Sequence, residues 1–168
     1  MAETFADLEL QLGQILIDAL VSHNLAVIAT PWLYHGSAPD DCCPPPNTAP
    51  RVVSHWPRIG GAAGRGAVPK HQECGGPIAA RIDVRLLVCW PVPGDPIGAD
   101  IDTFQSTSRY LTDAAWIGTV AYNDLICDRH RQRSMGLSGF WFLNAVPRNP
   151  RGGCAGVDFL LNIRSQGF

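Results

Sequence analysis

"IAARIDVRLLVCW", residues 78–90, alternates with a period of two: Ile78, Ala80, Ile82, Val84, Leu86 and Val88 fall on one side of an extended chain, and Ala79, Arg81, Asp83, Arg85 and Leu87 on the other. The first side reads as core and the second as partly wet. A strand of this kind needs a cover for its apolar side, and two helical stretches supply it. In residues 4–23, Thr4 caps the start with Asp7 in the reciprocal position, and Leu8, Leu12, Ile15, Leu16 and Ala19 recur at helical spacing up to a stop at Asn24. The second helix runs from about Asp102 to Cys127, with Phe104, Leu111, Ala115, Gly118, Tyr122 and Leu125 near one stripe and Asp100 and Asp102 at its positive end.

Further strands are expected in "LAVIATPWLY" (25–34), where Pro31 marks a strand end or a sheet edge, and in "RVVSHW" (51–56). "GFWFLNAV" (139–146) and "GVDFLLNIR" (156–164) flank "PRNPRGGCA" and read as a hairpin with a wide turn. The order helix, strand, strand, strand, helix, strand, strand predicts an α+β fold: two helices packed on one mixed or antiparallel sheet, without the alternation of a nucleotide-binding α/β fold. One domain spans 1–168. Within it, 36–76 reads as a long Pro/Gly-rich loop or arm around the short strand near 51–56, and removal of 57–72 is expected to leave a folded monomer.

No apolar run approaches the roughly 20 residues that span a bilayer, and "MAETFADLEL" has neither a basic start nor the apolar stretch of an export signal. The chain therefore reads as soluble and made in a cytosol, with its six cysteines reduced. Cys89 and Cys127 are expected to be buried as small hydrophobes. A bridge from Cys42 or Cys43 to Cys74 or Cys154 stays open, since sequence alone does not assign pairings. The formal charge of −2 hides an asymmetry: residues 1–50 hold six acids and no Lys or Arg, whereas 129–168 hold six arginines against Asp158 alone. That separation suits identical subunits joined head to tail, a nucleic-acid contact, or two solvated faces within one subunit.

The densest chemistry is "DDCCPPP", residues 40–46. Adjacent thiols ligate one ion awkwardly, and further ligands would have to come from His55, His71, Cys74 or Cys154 across long loops, so no metal is expected. The five histidines lie in no catalytic pattern, "GGAAGRG" and "PRGGCAG" lack the Lys-Ser/Thr ending of a phosphate loop, and neither an enzyme nor a cofactor is expected. "DRHRQR" (128–133) reads as a helix end whose cations suit the dipole, with phosphate contact as the alternative. Five tryptophans, several beside proline at strand ends, suit anchors in subunit contacts as well as core. The candidate interface residues are Trp32, Tyr34, Trp56, Arg58, Arg65, Lys70, Arg129, Arg131 and Arg133.

Taken in order, "DDCC", "ECGGPIAARIDVRLLVCWPVP", "LTDAAWIGTVAYNDLIC" and "NPRGGCAGVDFLLNIR" resemble a family of small head-to-tail connection proteins of long-tailed phages of actinobacteria, and within it the tail terminators. The resemblance implies a virion structural protein without catalysis. It would form a ring, usually of six subunits, that ends growth of the tail tube and docks head completion proteins while DNA passes through its channel without sequence-specific binding. The implied partners are further copies of the chain, the major tail tube protein and a head completion or stopper protein, with no membrane. A stopper ring is the neighbouring alternative and a DNA-binding module the more distant one. The Gly/Pro-rich segment around 57–72 departs from the family pattern. In that setting "DDCCPPP" becomes a stiff turn whose thiols pack or cross-link.

Overall fold

A computed structural model of the chain describes residues 4–34, 49–61, 78–90, 101–151 and 153–165. The "DDCCPPP" run, His35, His71, Cys74, Arg65, Lys70 and the rest of the expected arm beyond Gly61 lie outside the described residues.

Helix α1 spans Phe5–Ser22. Its capping box is formed as the sequence requires: the Asp7 amide donates to Thr4 Oγ1 at 3.1 Å, and the Thr4 amide donates to Asp7 Oδ2 at 2.9 Å. Asn24, at φ 60°, turns the chain away in the left-handed region that asparagine tolerates. Then come β1 (Trp32–Leu33), β2 (Arg51–Gly61), β3 (Ile78–Cys89), α2 (Ile101–Cys127), α3 (Arg129–Ser134), β4 (Leu137–Arg151) and β5 (Cys154–Ser165). The strands make one mixed sheet in the order β1-β2-β3-β5-β4, parallel only between β1 and β2.

The α+β expectation holds, with corrections in detail. Of "LAVIATPWLY" only Trp32–Leu33 pairs, as the short edge strand that Pro31 foretold. Strand β2 runs past "RVVSHW" to Gly61 by absorbing a register shift between His55 and Arg58, where Pro57 has no N–H to give the ladder. Deleting 57–72 would therefore remove four cross-strand pairs, Arg58↔Arg81 to Gly61↔Ile78, and the expectation of an intact monomer is withdrawn. "DRHRQR" is a separate short helix, started by Asp128 accepting from the Arg131 amide, and not the end of α2. The β4–β5 turn is tight, with Arg151 paired to Cys154 and Gly153 at φ 76°.

The core lies on one side of the sheet. Leu8, Leu12, Leu16 and Leu20 of α1 and Ala114, Tyr122 and Leu125 of α2 pack with Ile82, Val84 and Leu86 of β3 and Phe159 and Leu161 of β5. The register explains the choice of face: Ile82, Val84 and Leu86 stand opposite Leu161, Phe159 and Val157. Tyr122 fills the centre, its ring 5.9 Å from Phe142 and 5.6 Å from Phe159, and its buried hydroxyl donates to the Leu12 carbonyl at 2.9 Å. Gly118 lets α2 approach, since a Cβ there would collide with the Phe159 ring and Leu16.

The other side of β3 is less wet than expected, because Asp83 and Leu87 are buried. A second, smaller cluster of Val53, Leu87 and Cys154 with Tyr34 sits there. Cys89 and Cys154, which face each other in register, both have their sulfurs in disulfide linkage, against the expectation of reduced thiols. Cys127, expected inside, is a free, exposed thiol.

Candidate functional site

All three helices leave one face of the sheet to other company, and that face is charged. Residues of three strands, β3, β5 and β4, bring Arg81, Asp83, Arg85, Asp158 and Arg148 together in a chain of opposite signs. Arg81 Nε meets Asp83 Oδ1 at 2.9 Å, Arg85 reaches Asp83 at 3.9 Å and Asp158 at 3.4 Å, and Arg148 reaches Asp158 at 3.7 Å. Only the first is also a hydrogen bond; the others are contacts of charge. Burial raises the Asp158 carboxyl above its ordinary range, and the Arg85 and Arg148 guanidiniums pull it back only in part. Burial, with Arg85 adding to it, holds the His55 imidazole below its usual range.

Toward the other end of the same face the cations outnumber the acids. Arg58 stands directly opposite Arg81, Arg81 opposite Asn162, and Asn162 opposite Trp141, one row across four strands. Arg164 lies two residues along β5 from Asn162, opposite Gly139, and the Trp141 indole folds over that glycine. Arg58, Trp141 and Arg164 are exposed.

The helical side presents a different surface. Asp113, Trp116, Val120 and Asp124 recur along α2 at helical spacing and are all exposed, Trp116 to 73%. Beside them an open groove of about 420 Å³ runs between the end of α1 and α2, lined by His23, Leu25, Thr112, Asp113, Trp116 and Ile117.

The sequence-derived candidates distribute over three places. Trp32, in the edge strand, is stacked by the Arg51 guanidinium at 4.6 Å from the ring centroid, and Tyr34 packs half-buried against the second cluster. Trp56 and Arg58 are exposed on β2 around its register shift. Arg129, Arg131 and Arg133 are exposed on α3 at the opposite edge of the sheet, so the structure does not join them to Arg58. Arg129 and Arg133 line an open cleft of about 560 Å³ with Gln132, Gly136, Leu137 and Ser138. Buried Gln132 holds that corner: its amide donates to the Leu125 and Ile126 carbonyls at 2.8 and 2.9 Å, and Arg129 donates to its Oε1 at 3.2 Å.

The candidate residues drawn from the sequence did not include Arg81, Arg164 or Asp113, and left out Trp141 and Trp116 although both are among the five tryptophans read as suited to subunit contacts. The signal for Trp116 was present: it lies about 200° around the helix from Gly118, on the side away from the core stripe. The arginines of β3 and β5 showed as alternating polar positions, but which of them meet depends on register. Among the described residues no group of three or more His, Cys, Asp or Glu is placed to hold a metal ion, and no helix is long and apolar enough to cross a membrane. No protein-family model matches the chain, and no curated protein is similar to it.

Proposed function

We propose that the chain is a structural ring subunit of the phage head-to-tail connection, of the tail-terminator class, which ends the tail tube and joins it to the head completion proteins. The observation that carries this reading is the exposure of large apolar side chains on opposite sides of the fold. Trp116 and Val120 stand out on the helical side, Trp141 and Leu143 on the long edge strand β4. A lone subunit leaves such residues in water at a cost, and a ring that closes through unlike surfaces covers both sets in every copy. The packing of two long helices on one mixed sheet supports the same reading, since it accords with the resemblance in the four quoted segments. The role needs shape and charge, and no cofactor.

The experiment is imaging of the full-length purified chain by electron microscopy, with its mass in solution measured alongside. Closed rings, six-membered in the expected case, that bind the open end of purified tail tubes support the proposal. A chain that stays monomeric at tens of micromolar and does not bind tubes overturns it. Rings that ignore tubes but bind the portal-side adaptor favour the stopper position.

A second reading has one specific observation in its favour. The row Arg58–Arg81–Asn162–Trp141 with Arg164 beside it combines cations with an aromatic plane, the elements of a nucleic-acid platform. It requires salt-sensitive DNA binding by the isolated subunit.

A further inference from the structure

Arg58 and Arg81 stand directly opposite each other in an antiparallel pair, an arrangement that costs free energy in the isolated subunit because like charges repel at that spacing. Arg164 lies diagonally from Arg81 through Asn162. Among the described residues the only carboxylate that pairs with any of the three is Asp83, which it shares between Arg81 and Arg85. Among the described residues the cluster is therefore short of negative charge. It extends from β2 to β5 and ends beside Trp141 on the edge strand β4, half exposed at 50%, on a face that carries none of the helices.

The surface that would satisfy it is on the opposite side of the same molecule. Between Asp113 and Asp124, α2 has no Lys or Arg, and the two carboxylates frame the exposed Trp116 and Val120. The groove beside Trp116, about 420 Å³, has room for one indole and has Asp113 on its rim. The dimensions are compatible with long side chains: eleven residues of helix separate the carboxylates by about 16 Å, and two strand spacings with a two-residue offset put Arg58 about 12 Å from Arg164, with Trp141 one strand further on. Since helices and arginine row lie on opposite faces of one sheet, no subunit brings its own two surfaces together. A second copy does.

We infer that the helix stripe Asp113–Trp116–Val120–Asp124 of one copy docks on the sheet row Arg58–Arg81–Asn162–Trp141 of the next, with Trp141 entering the groove and Arg58 and Arg164 meeting the carboxylates. This names the two surfaces of the head-to-tail contact and rests on the ring reading above. The contact is heterologous, so each copy donates one surface and receives at the other.

The test uses full-length chain and measures mass distribution at low and high salt. Two charge-reversed variants are made, Arg58→Glu with Arg164→Glu, and Asp113→Arg with Asp124→Arg, together with the fourfold variant that carries both. Each reversed pair is expected to weaken assembly at least tenfold with a melting temperature of the subunit no lower than wild type, and the fourfold variant to recover assembly. The milder pairs Arg58→Gln with Arg164→Gln and Asp113→Asn with Asp124→Asn, expected to weaken assembly less, give the answer should a reversal fail to fold. Wild-type rings that every one of these variants forms equally well overturn the docking geometry and leave the ring reading standing. A wild-type chain that never assembles overturns both. If loss of Arg58 and Arg164 abolishes salt-sensitive binding of a labelled DNA duplex and leaves assembly untouched, the sheet face is a nucleic-acid surface and the inference is wrong.

Discussion

Glu9 is the residue whose environment is most at odds with its chemistry. It sits on the buried side of α1, 2% exposed, with no hydrogen-bond partner for Oε1, while its backbone carbonyl accepts from the Ser54 hydroxyl at 3.0 Å. Burial pushes its carboxyl from 4.5 up to about 7. The unfolded chain therefore releases this proton first as pH rises. Below about pH 4.5 both states are protonated and Glu9 costs nothing; between about 4.5 and 7 the folded state holds the extra proton and stability falls; above that the penalty is complete. At about 1.4 kcal/mol per unit the shift corresponds to at most about 3.5 kcal/mol. Glu9→Gln should leave the melting temperature unchanged near pH 4.5 and raise it by roughly 5 °C at pH 8, read by circular dichroism across pH. An increase of the same size at both ends would mean that the carboxyl is not the cause. Gly118 tests packing where Glu9 tests charge: a Cβ there meets Phe159 and Leu16, so Gly118→Ala should destabilise by about 1–3 kcal/mol in a denaturant titration, although alanine is the better helix former.

Elements were legible to the extent that their causes are local. The capping box of α1, its stop at Asn24, the ends of α2 within a residue and the core side of β3 all follow from side chains a few positions apart. What escaped depends on partners distant in sequence. Pro31 in "LAVIATPWLY" marked an edge, but that only Trp32 and Leu33 pair, with Val53 and Ser54 of β2, depends on a partner outside the stretch. The far side of β3 looked wet because its arginines and aspartate are charged; pairing with β5 supplies Asp158 to Arg85, and that partner is invisible until register is known. The same limit hid the arginine row, since Arg58 could be picked as a charge but not as the neighbour of Arg81. Helix α3 is a case between the two. Its basic residues read as a helix end, yet buried Gln132 makes it a separate turn by capping α2 through Leu125 and Ile126. Gln132→Ala would leave those two carbonyls without the donor and release Arg129. It should cost about 1–3 kcal/mol, measured as a lowered denaturant midpoint, and quicken hydrogen exchange at the junction of α2 and α3.

At the scale of the whole molecule, two readings of the charge asymmetry compete, and they separate on a single exposed side chain. If acidic and basic ends only balance within a subunit, Trp116 has no role: at 73% exposure it packs little of its surface, and replacing it should shift stability by no more than about 0.5 kcal/mol with nothing else changed. If the helical side is a contact surface, Trp116 is its apolar centre, since Asp113 and Asp124 lie on either side of it along α2 and the groove opens beside it. Interface anchors of this kind cost more than about 2 kcal/mol on truncation, a weakening of thirtyfold or more, because their partner pocket is left open. Trp116→Arg is the sharper form of the test, for it removes the indole and also sets a cation where the proposed partner face is already short of negative charge. The expected outcome is a chain with wild-type melting temperature and circular dichroism whose mass in solution stays that of one 18.2 kDa subunit at concentrations where wild type assembles. Trp141→Ala on the opposite face should give the same result, and mixing the two variants should recover only pairs, since each retains one intact surface. Full rings from either variant alone would show that both tryptophans are ordinary exposed side chains.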